Sequence, residues 1–250
     1  MIVLKTASEL AAMRRAGQAT ARALARVAEA IRPGVTTREL DAIAEEAIRK
    51  EGGVPAFKGY RGFPASVCLS VNEVVVHGIP SDRRLEPGDI ISIDIGVILE
   101  GFYGDMARTF PVGAISPRAE RLLAVTWEAL ERGIAAARAG SRVSDISWAI
   151  QSYVEAQGYS VVKEFVGHGI GREMHEDPPV PNYGRPGRGP RLEPGMVLAI
   201  EPMVNEGRDK IKVLSDRWTA VTVDGKLSAH FEDTVAIWPD RTEILTRLPG

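Results

Sequence analysis

The sequence predicts an α+β fold made of two similar halves, and a repeated motif is the first reason. Leu85-Glu-Pro-Gly is followed after five further residues by Asp94, and Leu192-Glu-Pro-Gly is followed at the same spacing by Glu201, an offset of 107 residues. The segment 33–52 aligns with the segment 139–158 at an offset of 106 residues. Because chance seldom repeats two patterns at almost the same offset, we predict a duplicated unit with a pseudo-twofold axis.

The length and composition allow both halves to share one domain. The chain has 250 residues, of which 44% are apolar, and this is enough to bury a substantial core. No linker or low-complexity segment interrupts the chain. We therefore predict one domain over residues 1–250, with halves at about 5–112 and 115–240.

Charge, cysteine content and hydropathy exclude several classes of protein. The net charge of −2 argues against a direct nucleic-acid binder that depends on a strongly basic surface. The sequence has no apolar run long enough to cross a membrane and no signal segment, so we expect no membrane association. Cys68 is the single cysteine, which excludes an intrachain disulfide and is typical of the reducing cytoplasm.

In the first half, capping boxes predict two helices before the first strands. Thr6 and Glu9 form the first capping box, and Pro33-Gly34 is expected to end that helix. The same pattern at Thr36 opens a second helix, which Gly52-Gly53 ends. Residues 54–66 are expected to form a structured loop, and residues 67–79 carry strand material that ends at His77.

The stretch Leu85–Phe110 predicts a β-hairpin at the centre of the fold. Its isoleucines favour a strand, and Glu100-Gly101 is suited to a two-residue turn. With that turn, Asp105 lies opposite Gly96, and Asp94 becomes its diagonal neighbour on the same face. Two carboxylates that approach each other in this way need a cation or a proton between them. Two solvated surface aspartates are the alternative.

The second half predicts another pair of helices and a set of strands. Ser116-Pro117 is expected to start a helix that runs to about Arg138. The remaining predicted elements are a helix over 141–157, a strand over 160–166, a glycine-rich turn over 167–171, an exposed basic loop over 181–191, and strands over 218–223 and 226–238 around a turn at Asp224-Gly225.

Five side chains form a candidate metal site. They are four carboxylates and one imidazole: Asp94, Asp105, Glu201, Glu232 and His168. An oxygen-rich set with one nitrogen and no thiolate suits divalent ions such as Mn, Fe(II), Co or Zn. About five ligands with bridging carboxylates are typical of two-metal hydrolases. His230 shares the face of Glu232 and is at best an indirect contributor, and each residue could instead have a structural role.

Several motifs resemble the signature of type I methionine aminopeptidases in their short bacterial form. They match the family in order and spacing over nearly the whole chain: Val76-His-Gly-Ile-Pro80, Ile93-Asp-Ile-Gly, Gly104-Asp105, Phe165-Val-Gly-His-Gly-Ile-Gly-Arg-Glu-Met-His175, Pro181-Asn-Tyr183, Ile200-Glu-Pro-Met203 and Phe231-Glu-Asp-Thr234. Met106, Met174 and Phe63 depart from the commonest residues of the family.

The resemblance implies the "pita-bread" fold, with two pseudo-twofold halves around an antiparallel sheet and helices on the outer face. It also implies that the five side chains bind two divalent ions, and that a hydroxide activated by them attacks the carbonyl of an N-terminal methionine. Glu201 would handle the proton, while His77 and His175 would contact the scissile peptide and stabilise the tetrahedral intermediate.

The family's methionine pocket matches four residues of this chain: Tyr60, Phe63, Cys68 and Trp218. A thiol in a small apolar pocket suits a thioether side chain, although an ordinary buried cysteine is an equal alternative. The resemblance further implies a cytoplasmic monomer that acts on the N-termini of nascent polypeptides with a small second residue, and contact with the ribosome is an open expectation.

Two other functions remain open from the sequence. One keeps the fold and changes the substrate, as in X-Pro aminopeptidases and prolidases, although these usually carry an additional N-terminal domain. The other is a pita-bread binding module without catalysis, which would usually have lost metal ligands. All five predicted ligands are present in this chain.

Overall fold

A computed structural model describes residues 1–248, and these residues form four α-helices and fifteen strands whose pairings are all antiparallel. The helices are α1 (Ala7–Ala28), α2 (Thr37–Lys50), α3 (Pro117–Ala136) and α4 (Val143–Ala156). The strands of the first half are β1 (Val54–Pro55), β2 (Val67–Val71), β3 (Val74–Val76), β4 (Ile90–Leu99) and β5 (Phe102–Pro111). Those of the second half are β6 (Ser160–Val161), β7 (Gly167–Gly169), β8 (Glu176–Val180), β9 (Val197–Ile200), β10 (Met203–Asn205), β11 (Ile211–Val213), β12 (Ala220–Thr222), β13 (Ser228–His230), β14 (Asp233–Ile237) and β15 (Thr242–Ile244).

The helix starts follow the caps that the sequence predicts, with small differences at the ends. Both predicted capping boxes are present, at Thr6 for α1 and Thr36 for α2. α1 ends at Ala28, before the predicted stop at Pro33-Gly34, and the chain continues in a tighter turn in which the N–H groups of Ala30 and Ile31 donate to the carbonyls of Val27 and Ala28. α3 ends two residues before Arg138, and α4 begins at Val143 with Arg142 as its N-cap residue.

The central hairpin has the predicted register. β4 and β5 pair so that Gly96 lies opposite Asp105 and Leu99 lies opposite Phe102. Glu100 and Gly101 have φ values of 52° and 77°, which are the left-handed conformations of a type I′ turn. This turn fixes which residues of the two strands share a face, so it places Asp94 and Asp105 on the same side of the hairpin.

Each half has its own hydrophobic core under its own pair of helices. In the first half, buried residues of α1 and α2 such as Leu24 and Leu40 pack on the isoleucines of β4. In the second half, buried residues of α3 and α4 such as Leu130 and Ile150 pack against β9 and β10. The two helix pairs therefore lie over equivalent strands, as the internal repeat predicts.

The halves are joined by direct bonds between β5 and the start of β14. The Asp105 N–H donates to Thr234 Oγ1 at 3.2 Å, and the Thr234 hydroxyl donates to the Asp105 carbonyl at 2.7 Å. Ala107 and Glu232 exchange two backbone hydrogen bonds of 3.3 and 2.9 Å. Two of the predicted metal ligands therefore lie at the junction between the halves.

The glycine-rich segment after the fourth helix is a strand rather than the predicted turn. β7 pairs with both β8 and β9, whereas the predicted strand over 160–166 is reduced to the two residues of β6. A Cβ at Gly167 would lie 2.3 Å from the Ala199 carbonyl oxygen, and one at Gly169 would lie 2.1 Å from the Asp177 carbonyl oxygen. The glycines are needed because neighbouring chain segments approach closely, not because the chain reverses.

The strands around Asp224-Gly225 are also arranged differently from the prediction. A turn is present there, but β12 pairs with β11 and β3, whereas β13 pairs with β10. The predicted strand over 226–238 is divided into β13 and β14, and Glu232 lies between them. It is therefore not on a hairpin strand, because the chain changes its partner strand at this point.

The prediction of a single domain over residues 1–250 stays a prediction, and its last two residues lie outside the described part of the chain. Within residues 1–248, no helix combines the length and apolar character needed to cross a membrane.

We predict that Gly104→Ala strongly destabilises the protein, because α1 lies directly on this part of β5. The new Cβ would lie 2.6 Å from Thr20 Oγ1 and 2.8 Å from the Gly17 nitrogen, so the helix must shift. The expected loss of unfolding free energy is about 3 kcal/mol, measured by urea denaturation.

The matched control is Gly158→Ala, which has a left-handed φ of 84° but no atom within 4 Å of the new Cβ. This variant adds backbone strain without overlap and should cost about 1 kcal/mol. A Gly104→Ala loss no larger than that of the control would contradict the close packing of α1 on β5.

Candidate metal centre

The four predicted carboxylate ligands converge from both halves. Asp94 and Asp105 come from the paired strands β4 and β5, Glu201 follows β9, and Glu232 precedes β14. Asp105 and Glu232 are buried, and all four line one cavity of about 270 Å³. The structure therefore brings together the carboxylates that the sequence predicts, although their role as metal ligands stays a prediction at this point.

His168 is held with one ring nitrogen facing these carboxylates. Its Nδ1 lies 2.9 Å from the carbonyl oxygen of Gly169, and because a carbonyl only accepts, Nδ1 carries the proton. Nε2 is then unprotonated, so its lone pair can bind a metal ion. It lies 3.6 Å from Glu201 Oε1 and 3.9 Å from Asp105 Oδ2. A backbone carbonyl that fixes the tautomer in this way is typical of metal-binding histidines.

The carboxylates lack the partners that buried charges require. Asp94, Asp105 and Glu232 each have one buried oxygen that forms no hydrogen bond with any of residues 1–248. Burial raises the pKa of Asp105 to about 7, and burial together with the charge of Asp105 raises the pKa of Asp94 well above its ordinary value. Burial and the neighbouring carboxylates also raise the pKa values of Glu201 and Glu232.

This arrangement fits a divalent metal ion. Donor atoms of Asp105, His168 and Glu232 all lie within 4.8 Å of one another, and so do donor atoms of Glu201, His230 and Glu232. Buried carboxylates that repel each other are stabilised by a cation, and carboxylate oxygens with imidazole nitrogen suit divalent transition ions. The side chains of the cluster therefore have both the charge and the spacing of a metal-binding site.

His77 and His175 lie on the wall of the same cavity. His77 follows β3 with a φ of 60°, and its ring stands edge-on to Phe165 and Trp218. His175 Nδ1 lies 2.7 Å from the Tyr60 hydroxyl. Burial lowers the pKa of His77 to about 4 and also lowers the pKa of His175, so both rings are neutral near pH 7.

The predicted methionine-pocket residues form one hydrophobic cluster next to the carboxylates. Phe63 and Cys68 are buried, Tyr60 and Trp218 pack against them, and the rings of Phe63 and Trp218 meet edge to face at 5.1 Å. Burial, followed by the charge of Asp94, raises the pKa of the Cys68 thiol well above its ordinary value. The thiol is therefore a neutral apolar part of the wall.

The cavity also contains residues that the sequence analysis did not assign to it. Phe57, Met174 and Phe165 line it together with the predicted residues. A glycine inside a strand often marks the close approach of another group, so Gly96 could have indicated that Phe57 lies here. A Cβ at Gly96 would lie 2.7 Å from the Phe57 ring. Phe165 and Met174 lie within the Phe165–His175 motif, from which the sequence analysis assigned only the two histidines to the site.

A comparison with protein families identifies the group to which this architecture belongs. Residues 11–239 match metallopeptidase family M24. The chain belongs to this family. Together with the cluster of carboxylates and imidazoles, this family membership indicates that the protein binds a divalent metal ion.

Individual M24 relatives match over almost their whole length. The chain is 59% identical to the methionine aminopeptidase of Clostridium perfringens over 246 residues, which cover 98% of this chain and 99% of that protein. It is 56% identical to methionine aminopeptidase 1 of Bacillus subtilis over 248 residues, covering 99% and 100% of the two chains. These matches confirm the family resemblance that the sequence motifs predict.

A solved structure shows the same fold. The crystal structure of methionine aminopeptidase from Rickettsia prowazekii superposes with a TM-score of 0.98 at 43% identity, covering 99% of this chain and 100% of that one. The predicted pita-bread α+β fold is thereby confirmed.

We predict that the metal-free M24 protein loses stability as the pH rises above 6.5. Below about pH 6.5, the histidines with lowered pKa values make the unfolding free energy rise with pH. The carboxylates with raised pKa values make it fall. Above that pH the histidine contribution fades within about one pH unit, and the carboxylates dominate. The folded state then binds more protons than the unfolded state, so the unfolding free energy falls as pH rises through the folded pKa values.

The measurement is urea unfolding of chelator-treated protein at pH 6.5, 7.5 and 8.5. Glu232→Gln should reduce the slope because it removes one buried carboxyl group, and Mn²⁺ should reduce it in the wild type because a cation stabilises the charged form. A flat or rising stability in the metal-free wild type would contradict the proton uptake by the cluster.

Proposed function

We propose that this protein is a metal-dependent aminopeptidase that removes the initiator methionine from polypeptides whose second residue is small. The observation that carries the proposal is the apolar pocket formed by Phe63, Cys68 and Trp218 directly beside the carboxylate cluster. The methionine aminopeptidases that match the full chain support the same activity. The full-length match to these relatives favours this substrate over the X-Pro dipeptides of the alternative hypothesis.

We propose that two ions, of Co, Mn, Fe(II) or Zn, are held by the predicted ligands. These are Asp94, Asp105, His168, Glu201 and Glu232. When bound, such ions polarise a carbonyl and lower the pKa of water. Asp105 and Glu232 would hold the ions from the junction of the halves. The proposal is supported by four carboxylates around one cavity, more negative charge than a single divalent ion neutralises.

In this proposal Glu201 moves the proton. It lies at the cavity, within 3.6 Å of the Nε2 atoms of both His168 and His230. Its carboxylate takes a proton from the attacking water and delivers it to the leaving amine, as general base and then general acid. Burial and the neighbouring carboxylates raise its pKa in the metal-free protein, so this carboxyl group can hold a proton at the cavity.

The neutral histidines are proposed to hold the scissile peptide. In this proposal the Tyr60 hydroxyl, 2.7 Å from His175 Nδ1, is the donor of their hydrogen bond, so the Nε2–H of His175 can donate to the peptide carbonyl as negative charge develops on its oxygen. His77 stands between Phe165 and Trp218, which restricts its ring and leaves it facing the cavity. Both rings offer hydrogen bonds without adding positive charge beside the metal ions.

The methionine side chain would lie against Phe63, Cys68, Met174 and Trp218. These residues are apolar or weakly polar, and the sulfur atoms of Cys68 and Met174 suit contact with a thioether. We further propose that the protein acts as a cytoplasmic monomer on nascent chains. The presence of Cys68 as a single buried thiol supports a reducing compartment.

We predict that metal-stripped protein resupplied with Mn²⁺, Fe²⁺ or Co²⁺ releases methionine from a Met-Gly peptide but not from a Met-Leu peptide. An Ala-Pro peptide should remain uncut. Released amino acids are measured by chromatography with each ion. Asp94→Ala should abolish release because it removes a ligand, while its circular dichroism should remain that of the wild type.

Each alternative has its own outcome in this assay. Cleavage of Ala-Pro alone would make the protein an X-Pro peptidase. Stoichiometric metal binding without cleavage of any peptide would indicate a binding module. Full activity in Asp94→Ala would show that the metal assignment is wrong even if the substrate is right.

We predict that Tyr60→Phe lowers kcat/KM for Met-Gly about tenfold, since the loss of one hydrogen bond frees the His175 ring. The phenylalanine ring keeps the pocket wall in place, so the change tests the hydroxyl alone. The same substitution in a His175→Ala background is the control and should have little further effect. Equal losses in both backgrounds would show that Tyr60 does not act through His175.

A further inference from the structure

His230 is a buried imidazole at the carboxylate cluster that the proposed mechanism does not use. It is the last residue of β13 and is only 2% exposed. Its Nε2 atom is buried and has no hydrogen-bond partner among residues 1–248. A buried polar atom without a partner is costly, so such an atom beside a functional site indicates that a ligand completes its environment.

The position of this nitrogen matches that of His168 on the other side of the cluster. His168 Nε2 lies 3.6 Å from Glu201 Oε1 and 3.9 Å from Asp105 Oδ2. His230 Nε2 lies 3.6 Å from Glu201 Oε2 and 3.9 Å from Glu232 Oε2. Each oxygen of Glu201 therefore faces one imidazole, and each imidazole faces one further carboxylate. If this spacing suits His168 as a ligand, it suits His230 equally.

The backbone holds His230 firmly in this place. Its N–H donates to Thr109 Oγ1 at 2.9 Å, and the Thr109 hydroxyl donates to its carbonyl at 2.9 Å. Thr109 is on β5, the strand that carries Asp105, and it also bonds to Ser92 on β4 at 2.8 Å. The hairpin that positions the aspartates therefore also positions His230, as a preorganised ligand requires.

We propose that His230 is a sixth protein ligand of the metal centre and binds, through Nε2, an ion shared with Glu201 and Glu232. The inference rests on the proposed function only in that a divalent ion occupies the cluster. A second imidazole gives the centre two nitrogen donors. It therefore binds imidazole-preferring ions such as Co²⁺ and Zn²⁺ more favourably, relative to Mn²⁺, than a centre with His168 alone.

The test uses the full chain, stripped with a chelator and reloaded with Co²⁺ or Mn²⁺. His230→Gln should weaken Co²⁺ binding at least about tenfold by calorimetry, and Mn²⁺ binding less, because it replaces a nitrogen ligand. Proton NMR of the Co²⁺ protein should show two strongly shifted imidazole N–H signals in the wild type and one in this variant. His168→Gln is the matched ligand variant, and His77→Gln is the control that should keep both signals.

The number of imidazole ligands can also be measured without a variant. X-ray absorption of the wild-type Zn²⁺ protein should fit two imidazoles, so the proposal stays testable if His230→Gln does not fold. One imidazole in this fit, or unchanged Co²⁺ affinity with both NMR signals retained in His230→Gln, would overturn the proposal. So would reduced cleavage in that variant without a change in metal affinity, since His230 would then act on Glu201 as a hydrogen-bond donor.

Failure of the proposed function has a different result. Two coordinated imidazoles in a protein that does not cleave Met-Gly would sustain the role of His230 and contradict only the peptidase activity. One imidazole in a protein that does cleave would do the reverse.

Discussion

The repulsion between four enclosed carboxylates is the constraint on which the rest of the structure depends. Asp94, Asp105, Glu201 and Glu232 share one cavity, and within the described chain the side chains paired with them across it are imidazoles rather than Lys or Arg. Burial without a cation raises their pKa values, so the charged cluster is stable only when a cation is present. The contrast with Asp233 is informative, because that neighbour of Glu232 is neutralised by Arg108 and Arg247. Among residues 1–248, Asp233 thus has arginine partners, whereas the carboxylates of the cluster form ion pairs with neither Arg nor Lys.

The scaffold keeps these repelling groups together through uncharged backbone contacts. Asp105 bonds to Thr234, and the chain at Glu232 bonds to Ala107, so the bonds that join the two halves are made at the residues that carry the charges. The separate cores of the halves hold these strands rigidly on either side. A shift of one half against the other would change the spacing of the donors directly, which ties the integrity of the junction to metal binding.

The sequence predicts those parts of the site that local rules determine. The turn at Glu100-Gly101 fixes the register of the central hairpin, and the repeated motif identifies Glu201 as the counterpart of Asp94. Elsewhere, tertiary contacts override these local sequence preferences. Glycines usually indicate turns, but Gly167 and Gly169 are in a strand, where carbonyl groups of the neighbouring strands β8 and β9 leave no room for a side chain. The partners of β12 and β13 likewise depend on strands far along the chain, so a local turn signal at Asp224 could not reveal them.

The duplicated unit also explains how one fold obtains two different histidines. His77-Gly78 and His168-Gly169 occupy corresponding motifs, and in both the glycine lies against a carbonyl group, at 2.2 Å and 2.1 Å for an added Cβ. The packing of the strand is thus the same in both halves, whereas the histidine backbone differs. His168 lies within a paired strand and faces the carboxylates, while His77 has a left-handed φ of 60° just after its strand and faces the cavity from beside Phe165. A change of backbone conformation at one residue therefore separates an imidazole that faces the carboxylates from one that lies among aromatic rings, although the two motifs correspond in sequence.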